Sequence, residues 1–344
     1  MSNKFRVGVT RDVLGADGRP FFDDLGLELL DDHPRVDWEI LPERVDVISP
    51  QHTADYDGLL LLAPRVTRAS FGPASRTAVI ARFGVGYDSV DVDACTDAGV
   101  ALTITPDAVR RPVASAMVAM VLGLAHRVRE RDLQVREGRW SEKFTVVGTG
   151  LTGRTVGLVG LGRIGAEFCR LLAPFEMKAV AYDPFADRER AAASGIEMVS
   201  LETLLSTSDF VCIAAPLTDS THKLIGADAL AMMKSSAYLV NAARGPIVDE
   251  EALVDSLRAR RIAGAALDVF DPEPPTADNP LFALDNVVLT PHSIAHSDEL
   301  YRACGRSAIS ALLAVADGLA PEHTVNRAVL TSETFRARVL RAGA

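Results

Sequence analysis

The chain has few of the features that mark disulfide-bonded, nucleic-acid-binding or membrane-spanning proteins. Only four cysteines occur in 344 residues and none form a Cys-x-x-Cys pair, which excludes a disulfide framework and a zinc site of that type. The net charge of -10 leaves no basic surplus for a nucleic-acid partner. No apolar run approaches the roughly 20 residues of a membrane span, and the N-terminus lacks a signal-peptide core. We therefore expect a cytoplasmic protein with no membrane partner and no metal site.

The composition is typical of an α/β protein with two domains. Hydrophobic residues make up 48% and charged residues 24%, and 344 residues exceed what one core usually organises. Short apolar runs alternate with helical stretches, which predicts β-α-β units and parallel sheets. The first part is predicted to contain strands at 5–10, 36–41, 58–62, 79–83 and 100–103, a proline-bracketed crossing at 106–112, and a buried helix at 113–129.

A glycine-rich turn organises the second half of the chain. An apolar strand beginning at Val156 leads into Gly160, Gly162 and Gly165, spaced as Gly-x-Gly-x-x-Gly, and a helical pattern follows. Gly160 lets the chain reverse, Gly162 keeps side-chain atoms away from a pyrophosphate, and Gly165 allows close helix–strand packing. The helix N-terminus would offer N–H groups to phosphates. The pattern predicts a dinucleotide-binding domain, with six or seven strands counted from Val156.

Asp183 indicates which dinucleotide is bound. It follows a second predicted strand at 178–182 and lies 18 residues beyond Gly165. A carboxylate there accepts hydrogen bonds from both ribose hydroxyls and repels a 2′-phosphate, so NAD is predicted and NADP is less favoured. The alternative is a turn residue before Pro184.

Three chemically complementary side chains follow three successive predicted strands. Arg244, Glu273 and His292 come, in that order, after the strands predicted at 237–241, 263–270 and 287–290. Ligands bind at the carboxyl ends of parallel strands, so we expect these side chains to lie together. A guanidinium holds a carboxylate, an imidazole moves a proton, and a carboxylate orients the imidazole. The set predicts a dehydrogenase site, although each residue alone also fits an ordinary loop.

A second glycine-rich loop, at residues 82–91, follows a predicted strand in the first part of the chain. Gly84 and Gly86 let its backbone turn sharply and present N–H groups, which is one way to hold a carboxylate. An ordinary glycine-rich turn explains the same residues equally well.

Four motifs, in this order and spacing, resemble the D-isomer-specific 2-hydroxyacid dehydrogenase family. They are GLVGLGRIG at 157–165, NAARG at 241–245, LDVF followed by EP at 267–274, and LTPH at 289–292. The resemblance implies an α/β fold of two Rossmann-like domains. A doubly wound NAD-binding domain at 106–296 would be inserted in a flavodoxin-like substrate domain formed by 1–105 and 297–344.

The resemblance also implies residue roles. Arg244 would bind the substrate carboxylate and carbonyl, His292 would be the acid/base, and Glu273 would support it. The backbone N–H groups of Val85 and Gly86 would bind the carboxylate. The implied NAD contacts are Gly160, Gly162, Arg163, Ile164, Gly165, Asp183, Ala215, Pro216, Thr221, Ala242, Ala243, Arg244, Asp268 and His292, with Asp268 facing the nicotinamide amide.

Family members are homodimers through the NAD-binding domain. The resemblance therefore implies a homodimer whose interface contains the helix at 113–129 and the loop before residue 153. The resemblance also leaves two other functions open. One is an NAD(H)-sensing protein that resembles a corepressor, and the other is a phosphite dehydrogenase. A short phosphoglycerate dehydrogenase also remains possible.

Departures from the family pattern leave the substrate open. The segment after His292 reads Ser-Ile-Ala-His-Ser, where the family has small residues and then threonine, and Pro-Val-Ala-Ser replaces the usual start of the long helix. We hypothesise that Arg110, Arg111 or His296 contacts a polar tail of the substrate. The alternative is that the two arginines pair with acidic side chains at the dimer surface.

Overall fold

The computed structural model describes residues 4–15, 17–22 and 24–343, which form two compact units. Unit 1 comprises Met1–Val109 and His296–Ala344, and unit 2 comprises Arg110–Ala295. The divisions predicted from the sequence are at 105/106 and 296/297. A continuous helix, Pro106–Ala125, carries the chain from the first segment of unit 1 into unit 2.

Unit 1 is built on a five-stranded parallel sheet in the order β2-β1-β3-β4-β5. This is the flavodoxin-like order, which the sequence analysis predicted. The strands lie within one residue of their predicted bounds, and they are β1 Phe5–Val9, β2 Val36–Ile40, β3 Gly58–Leu61, β4 Val79–Arg82 and β5 Ala101–Thr103. The helices of this first segment are α1 Glu28–Asp31, α2 Pro50–Asp55 and α3 Val92–Asp97. All four residues of β3 are buried, as expected for a strand covered on both faces.

Unit 2 contains a seven-stranded parallel sheet in the order β12-β11-β10-β9-β6-β7-β8. Its strands are β6 Thr155–Val159, β7 Lys178–Tyr182, β8 Ile196–Met198, β9 Phe210–Ile213, β10 Tyr238–Asn241, β11 Gly264–Leu267 and β12 Val287–Leu289. The order reverses between β6 and β9, where ligands bind in open α/β sheets. The predicted number of strands and the doubly wound fold are confirmed.

Helices cover both faces of the unit 2 sheet. The helices that do so are α4 Pro106–Ala125, α6 Arg163–Leu172, α7 Arg188–Ala193, α8 Leu201–Thr207, α9 Ala227–Met232 and α10 Glu250–Arg258, whereas α5 Val128–Arg136 is largely exposed. One buried cluster joins α4 and α6 to the sheet through residues such as Met117 and Phe168, and another joins α8, α9 and α10 through residues such as Leu204 and Leu253. The strand ends are therefore held on a core packed from two sides.

The helix α4 corrects two expectations. The predicted crossing at 106–112 is helical, and Pro112 lies inside α4, where its ring nitrogen donates no hydrogen bond. The helix tolerates the missing hydrogen bond and ends at Ala125. The prediction had placed its end at residue 129. It stops at Ala125 because Arg127 takes a left-handed conformation with φ of 51°, and α5 starts at the next residue.

By length and composition alone, α4 is apolar enough to cross a membrane, a property that the sequence analysis did not find. More than half of its most apolar window, 56%, is buried inside the protein. Core helices of soluble proteins pass the same test, so this is weak evidence for a membrane span.

The chain returns to unit 1 through α11 Asp298–Ala316 and ends in α12 Glu333–Gly343. No helix was predicted for this C-terminal segment. Arg338 of α12 anchors this helix, because its guanidinium donates hydrogen bonds of 2.7 to 3.2 Å to backbone carbonyls of Ser75, Thr77, Ala98 and Gly99.

The four cysteines are free and buried. Burial raises the pKa of Cys95 and of Cys169 to about 12. Thiols with such pKa values stay protonated near neutral pH and do not act as nucleophiles.

Candidate active site

The glycine-rich turn between β6 and α6 has the close packing that its glycines predicted. Gly160 has a φ of 94°, and a Cβ atom there would lie 2.6 Å from the backbone nitrogen of Ala215. A Cβ atom at Gly165 would lie 2.5 Å from a methyl carbon of Leu158. Gly162 differs, because a Cβ atom there would meet nothing within 4 Å. The turn thus leaves open space in front of the α6 N-terminus, whose first N–H groups have no partner within the helix.

Asp183 ties the end of β7 to this turn. Its Oδ2 accepts a hydrogen bond of 2.8 Å from the N–H of Leu161, and its Oδ1 accepts one of 2.8 Å from the N–H of Phe185. The structure therefore places the carboxylate beside the glycine-rich turn, where a ribose joined to a pyrophosphate would lie. These residues suit a dinucleotide.

The loop after β9 lies beside the glycine-rich turn, at the carboxyl end of the unit 2 sheet. Ala215 is buried against the glycine-rich turn. The Thr221 hydroxyl donates a 2.7 Å hydrogen bond to the carbonyl of Pro216 and accepts one of 2.7 Å from the N–H of Thr218. Thr221 thus closes this loop through its own side chain.

Asn241 shapes the loop that carries Arg244, a role that the sequence analysis missed. Its Oδ1 accepts a 3.0 Å hydrogen bond from the N–H of Ala243, and its Nδ2 donates one of 2.9 Å to the carbonyl of Arg244. Ala242 lies between them in this turn. The buried amide therefore fixes the backbone that positions the guanidinium.

Gly245 brings the loops after β10 and β11 into contact. A Cβ atom at Gly245 would lie 1.8 Å from the carbonyl oxygen of Phe270, so only glycine fits. Arg244 itself is extended, with φ of -145°, and its Nη1 donates a hydrogen bond to the carbonyl of Ala243. The close approach explains how Arg244 and the segment leading to Glu273 share one edge.

His292 and Glu273 form a hydrogen-bonded pair, although 18 residues separate them in the chain. His292 Nδ1 lies 2.9 Å from Glu273 Oε2, and Glu273 Oε1 accepts a 3.0 Å hydrogen bond from the N–H of Phe270. His292 has a left-handed backbone with φ of 51°. Because Nδ1 faces the carboxylate, Nε2 is the nitrogen available for proton exchange with another molecule.

Asp268 holds the backbone around His292. The side chain is 4% exposed, and its Oδ1 accepts hydrogen bonds from the Thr290 hydroxyl at 2.6 Å and from the N–H groups of Ser293 and Ile294 at 2.9 and 3.1 Å. The Asp268 carbonyl accepts the N–H of His292 at 2.8 Å. These contacts show Asp268 positioning the histidine loop, and its contact with nicotinamide stays a prediction.

The surroundings of Glu273 keep it ionised. Burial raises its pKa, but hydrogen bonds from His292 and from the N–H of Phe270, together with the charges of His292 and Arg244, outweigh burial and lower the pKa below its usual 4.5. A carboxylate in contact with an imidazole stabilises the protonated ring. Glu273 therefore remains a charged partner for His292 Nδ1.

An apolar cavity of about 420 Å³ adjoins the His292–Glu273 pair. Its apolar lining residues are Phe270, Pro274, Pro275, Phe282, Leu289 and Pro291. A cavity of this size and apolar character accommodates a small organic molecule. Among the described residues, no group of three or more potential metal ligands is found.

Val85 and Gly86 lie in unit 1, in the loop after β4. Gly84 has a φ of 110°, and this residue exchanges two 2.9 Å hydrogen bonds with Thr105, one through the threonine hydroxyl. The guanidinium of Arg82 donates to the Phe83 carbonyl at 2.9 Å. Within the described ranges, neither the Val85 nor the Gly86 N–H has an acceptor, so both suit an external carboxylate.

Two arginines, Arg110 and Arg111, lie near the start of α4, and only Arg111 has an ion pair described here. Arg111 Nη1 lies 2.9 Å from Glu167 Oε1, which also pairs with Arg170 at 2.7 Å. Hydrogen bonds from Arg170 and Arg111 lower the pKa of Glu167 to about 2. The structure favours the alternative in which Arg111 pairs with an acid, and Arg110 is exposed.

Comparison with known proteins identifies the family. Residues 118–293 match the family model described as D-isomer specific 2-hydroxyacid dehydrogenase, NAD binding domain. The chain belongs to the D-isomer specific 2-hydroxyacid dehydrogenase family. Membership supports a 2-hydroxyacid oxidoreductase that binds a nicotinamide dinucleotide.

Two proteins of similar sequence differ from each other in length. Glyoxylate reductase of Korarchaeum cryptofilum is 36% identical over 334 residues, covering 95% of this chain and 97% of that protein. D-3-phosphoglycerate dehydrogenase of Archaeoglobus fulgidus is 40% identical over 253 residues, covering 74% of this chain and 48% of that protein. The chain thus spans about half the length of the second relative.

Solved structures support the same fold for this dehydrogenase. The TT0316 protein of Thermus thermophilus is 33% identical, with a TM-score of 0.81 over 93% of this chain and 99% of that chain. A glyoxylate reductase from Paecilomyes thermophila is 25% identical, with a TM-score of 0.80 over 94% of this chain and 99% of that chain.

Proposed function

We propose that this chain catalyses NAD-dependent hydride transfer between nicotinamide and C2 of a D-2-hydroxy acid/2-oxo acid pair. The observation that carries the proposal is the 2.9 Å contact between His292 and Glu273 beside the Arg244 loop, at the carboxyl end of a dinucleotide-binding sheet. A proton donor and a carboxylate binder at that edge are what reduction of a 2-oxo acid requires.

His292 is the proposed acid/base. During reduction its Nε2 donates a proton to the C2 oxygen, and during oxidation it removes that proton. Glu273 fixes the ring through Nδ1 and stabilises its protonated form, since the lowered pKa of Glu273 keeps the carboxylate charged.

Arg244 is the proposed carboxylate binder. Its planar guanidinium pairs with a carboxylate and an adjacent carbonyl oxygen through parallel hydrogen bonds. The N–H groups of Val85 and Gly86 are the proposed second set of donors to the same carboxylate, and their lack of described acceptors supports this role.

The proposed cofactor is NAD, which supplies or accepts the hydride when bound. Asp183 would accept the ribose hydroxyls, and its negative charge would repel the 2′-phosphate of NADP. The open space at Gly162 and the α6 N-terminus would receive the pyrophosphate. The remaining proposed contacts are Arg163, Ile164, Ala215, Pro216, Thr221, Ala242, Ala243 and Asp268.

A homodimer is also proposed, through an apolar surface of unit 2. Five exposed apolar side chains occur close together in sequence on and after α5, namely Val128, Val135, Trp140, Phe144 and Val147. Exposed apolar residues in such number mark association surfaces. Burial of this segment by a second copy would remove them from water.

The test measures loss of NADH absorbance with glyoxylate, hydroxypyruvate, pyruvate, phenylpyruvate and oxidised sugar acids. Glyoxylate is the first substrate to try, because several similar proteins are named glyoxylate reductase. We expect turnover that falls by about 10³-fold in His292→Gln, while NADH still binds.

Two results would contradict the proposal. Equal turnover in wild type and His292→Gln would remove the acid/base role. Tight NADH binding without turnover of any 2-oxo acid would favour an NAD(H) sensor. Reduction of NAD by phosphite, without turnover of any 2-oxo acid, would favour a phosphite dehydrogenase.

A further inference from the structure

The apolar cavity beside the His292–Glu273 pair is formed within unit 2. Its volume is about 420 Å³. Its apolar lining comes from the segment after β11, from the end of β12 and from a turn between these strands, and consists of Phe270, Pro274, Pro275, Phe282, Leu289 and Pro291. All of these residues belong to unit 2, so the cavity is defined without reference to unit 1.

The cavity lies apart from the proposed dinucleotide contacts. Its lining follows β11 and β12, which are the third and fourth strands from β6 in the order of the sheet, whereas the glycine-rich turn follows β6 itself. Neighbouring strands are about 4.8 Å apart, so most of the dinucleotide would bind elsewhere along this edge. Of the residues proposed to contact NAD, His292 alone lines the cavity. The cavity is therefore available to a second molecule, at the residue proposed as the acid/base.

The proposed chemistry leaves one substituent of the substrate without a binding group. In a 2-oxo acid, C2 carries an oxygen, a carboxylate and a side chain. The oxygen is proposed to meet Nε2 of His292, and the carboxylate is proposed to meet Arg244, which does not line the cavity. Because His292 does line it, the substituent of C2 that the cavity can receive is the side chain.

The polar groups of the lining are already engaged within the protein. The Thr290 hydroxyl donates a 2.6 Å hydrogen bond to Asp268 Oδ1. Glu273 accepts a 3.0 Å hydrogen bond from the N–H of Phe270 and contacts His292 Nδ1 at 2.9 Å. A hydroxyl group that entered this cavity would give up hydrogen bonds to water for an apolar lining, which is unfavourable. An apolar side chain would instead gain by leaving water.

We propose that this cavity is the side-chain subsite of the enzyme, and that its preferred substrates are 2-oxo acids with an apolar side chain as large as a benzyl group. The inference rests on the proposed function. It differs from the hypothesis of a polar substrate tail, and the side chains named in that hypothesis do not line the cavity, namely Arg110, Arg111 and His296.

The first experiment measures NADH-dependent reduction of matched 2-oxo acids by the full chain. Hydroxypyruvate and 2-oxobutanoate have equal numbers of non-hydrogen atoms and differ in carrying a hydroxyl or a methyl group beyond C3. We expect kcat/KM to be about tenfold higher for 2-oxobutanoate, because the hydroxyl loses its hydrogen bonds to water. The added methylene of 2-oxobutanoate should raise kcat/KM about fourfold over pyruvate, and phenylpyruvate should exceed both.

Variants of the lining test whether the cavity causes this preference. Phe282→Ala removes an aromatic ring from the lining and should lower the ratio of kcat/KM for phenylpyruvate to that for glyoxylate by about tenfold. Phe282→Leu keeps an apolar side chain and should retain most of the ratio. Phe175→Ala is the matched control, because Phe175 is a partly exposed phenylalanine of unit 2 that lies outside the lining, and it should leave the ratio unchanged.

The outcomes separate this inference from the proposed function. Turnover of glyoxylate that is lost in His292→Gln, together with a preference for hydroxypyruvate over 2-oxobutanoate, would overturn the inference and leave the proposed function standing. An unchanged ratio in Phe282→Ala would also overturn it, and so would an equal fall for both acids, which would indicate a structural role. Absence of any turnover by the wild-type protein would overturn the proposed function and this inference together.

Discussion

The two units place different kinds of binding group at the carboxyl ends of similar parallel sheets. In unit 2 the strand ends carry charged side chains, including Arg244, Glu273 and His292. In unit 1 the corresponding loop offers the backbone N–H groups of Val85 and Gly86, and the nearby guanidinium of Arg82 donates to protein carbonyls. We infer that unit 2 performs the chemistry, whereas unit 1 supplies neutral donors whose strength depends on backbone shape.

Removal of the guanidinium in unit 2 should have the largest effect. Arg244→Ala is expected to lower kcat/KM for glyoxylate by about 10³-fold, because the charged, paired hydrogen bonds to the carboxylate are lost. Arg244→Lys should recover only part of this, since an ammonium cannot pair in parallel. Arg258→Ala, an exposed arginine of α10, is the control, and an equal loss there would contradict the assignment.

The cofactor preference should change by a smaller factor. Asp183→Asn is expected to raise the ratio of kcat/KM for NADPH to that for NADH by about 100-fold, because the charge that repels the 2′-phosphate is gone. Asp187→Asn changes a carboxylate that caps α7 and should leave the ratio unchanged. A wild-type protein that already uses both cofactors equally would refute this role for Asp183.

The backbone loop of unit 1 should respond more modestly. Gly84→Ala introduces a side chain at a φ of 110° without a steric clash, so its effect is on backbone conformation alone. We expect KM for glyoxylate to rise about tenfold with kcat within twofold, since the strained loop misaligns its donors. Gly150→Ala, which also has open space but no positive φ, is the matched control. An unchanged KM in Gly84→Ala would show that this loop does not bind the substrate carboxylate.

The ionisation of Glu273 should have the smallest effect, on stability. Its folded pKa is lowered from 4.5, so its contribution is complete above that pH and is lost as the pH falls through the lower folded value. At pH 7 the wild type should therefore have the higher free energy of unfolding. The difference from Glu273→Gln should be less than about 1 kcal/mol, because the pair is partly exposed. Urea denaturation at pH 7 and pH 3 checks this, and a difference that grows on acidification would contradict the sign.

Much of the fold could be predicted because buried parallel strands are continuous apolar runs. The strands of unit 1 and the glycine-rich turn have this local signal, and their predicted positions are confirmed. The edge strand Ile196–Met198 and the helices Arg188–Ala193 and Glu333–Gly343 have weak signals, since they are short or largely exposed. The crossing predicted at 106–112 was wrong, because the packing around Pro112 outweighs the one hydrogen bond that proline removes from α4.

The reactive residues of the proposed site could be predicted from the sequence, whereas the residues that position them could not. Arg244, Glu273 and His292 follow strand ends, and strand ends are visible in the sequence. Asn241 shapes a turn through its own side chain, and Asp268 holds the backbone around His292. Such contacts depend on three-dimensional packing and have no periodic signal.

The most direct test of the proposed site is a double-mutant cycle on the His292–Glu273 pair of unit 2. It measures kcat/KM for glyoxylate in wild type, Glu273→Gln, His292→Gln and the double variant. If Glu273 acts only through His292, the double variant should match His292→Gln within about threefold, although Glu273→Gln alone lowers activity by about 10- to 100-fold. Losses that multiply in the double variant would show that Glu273 acts independently of His292, which would contradict the proposed site.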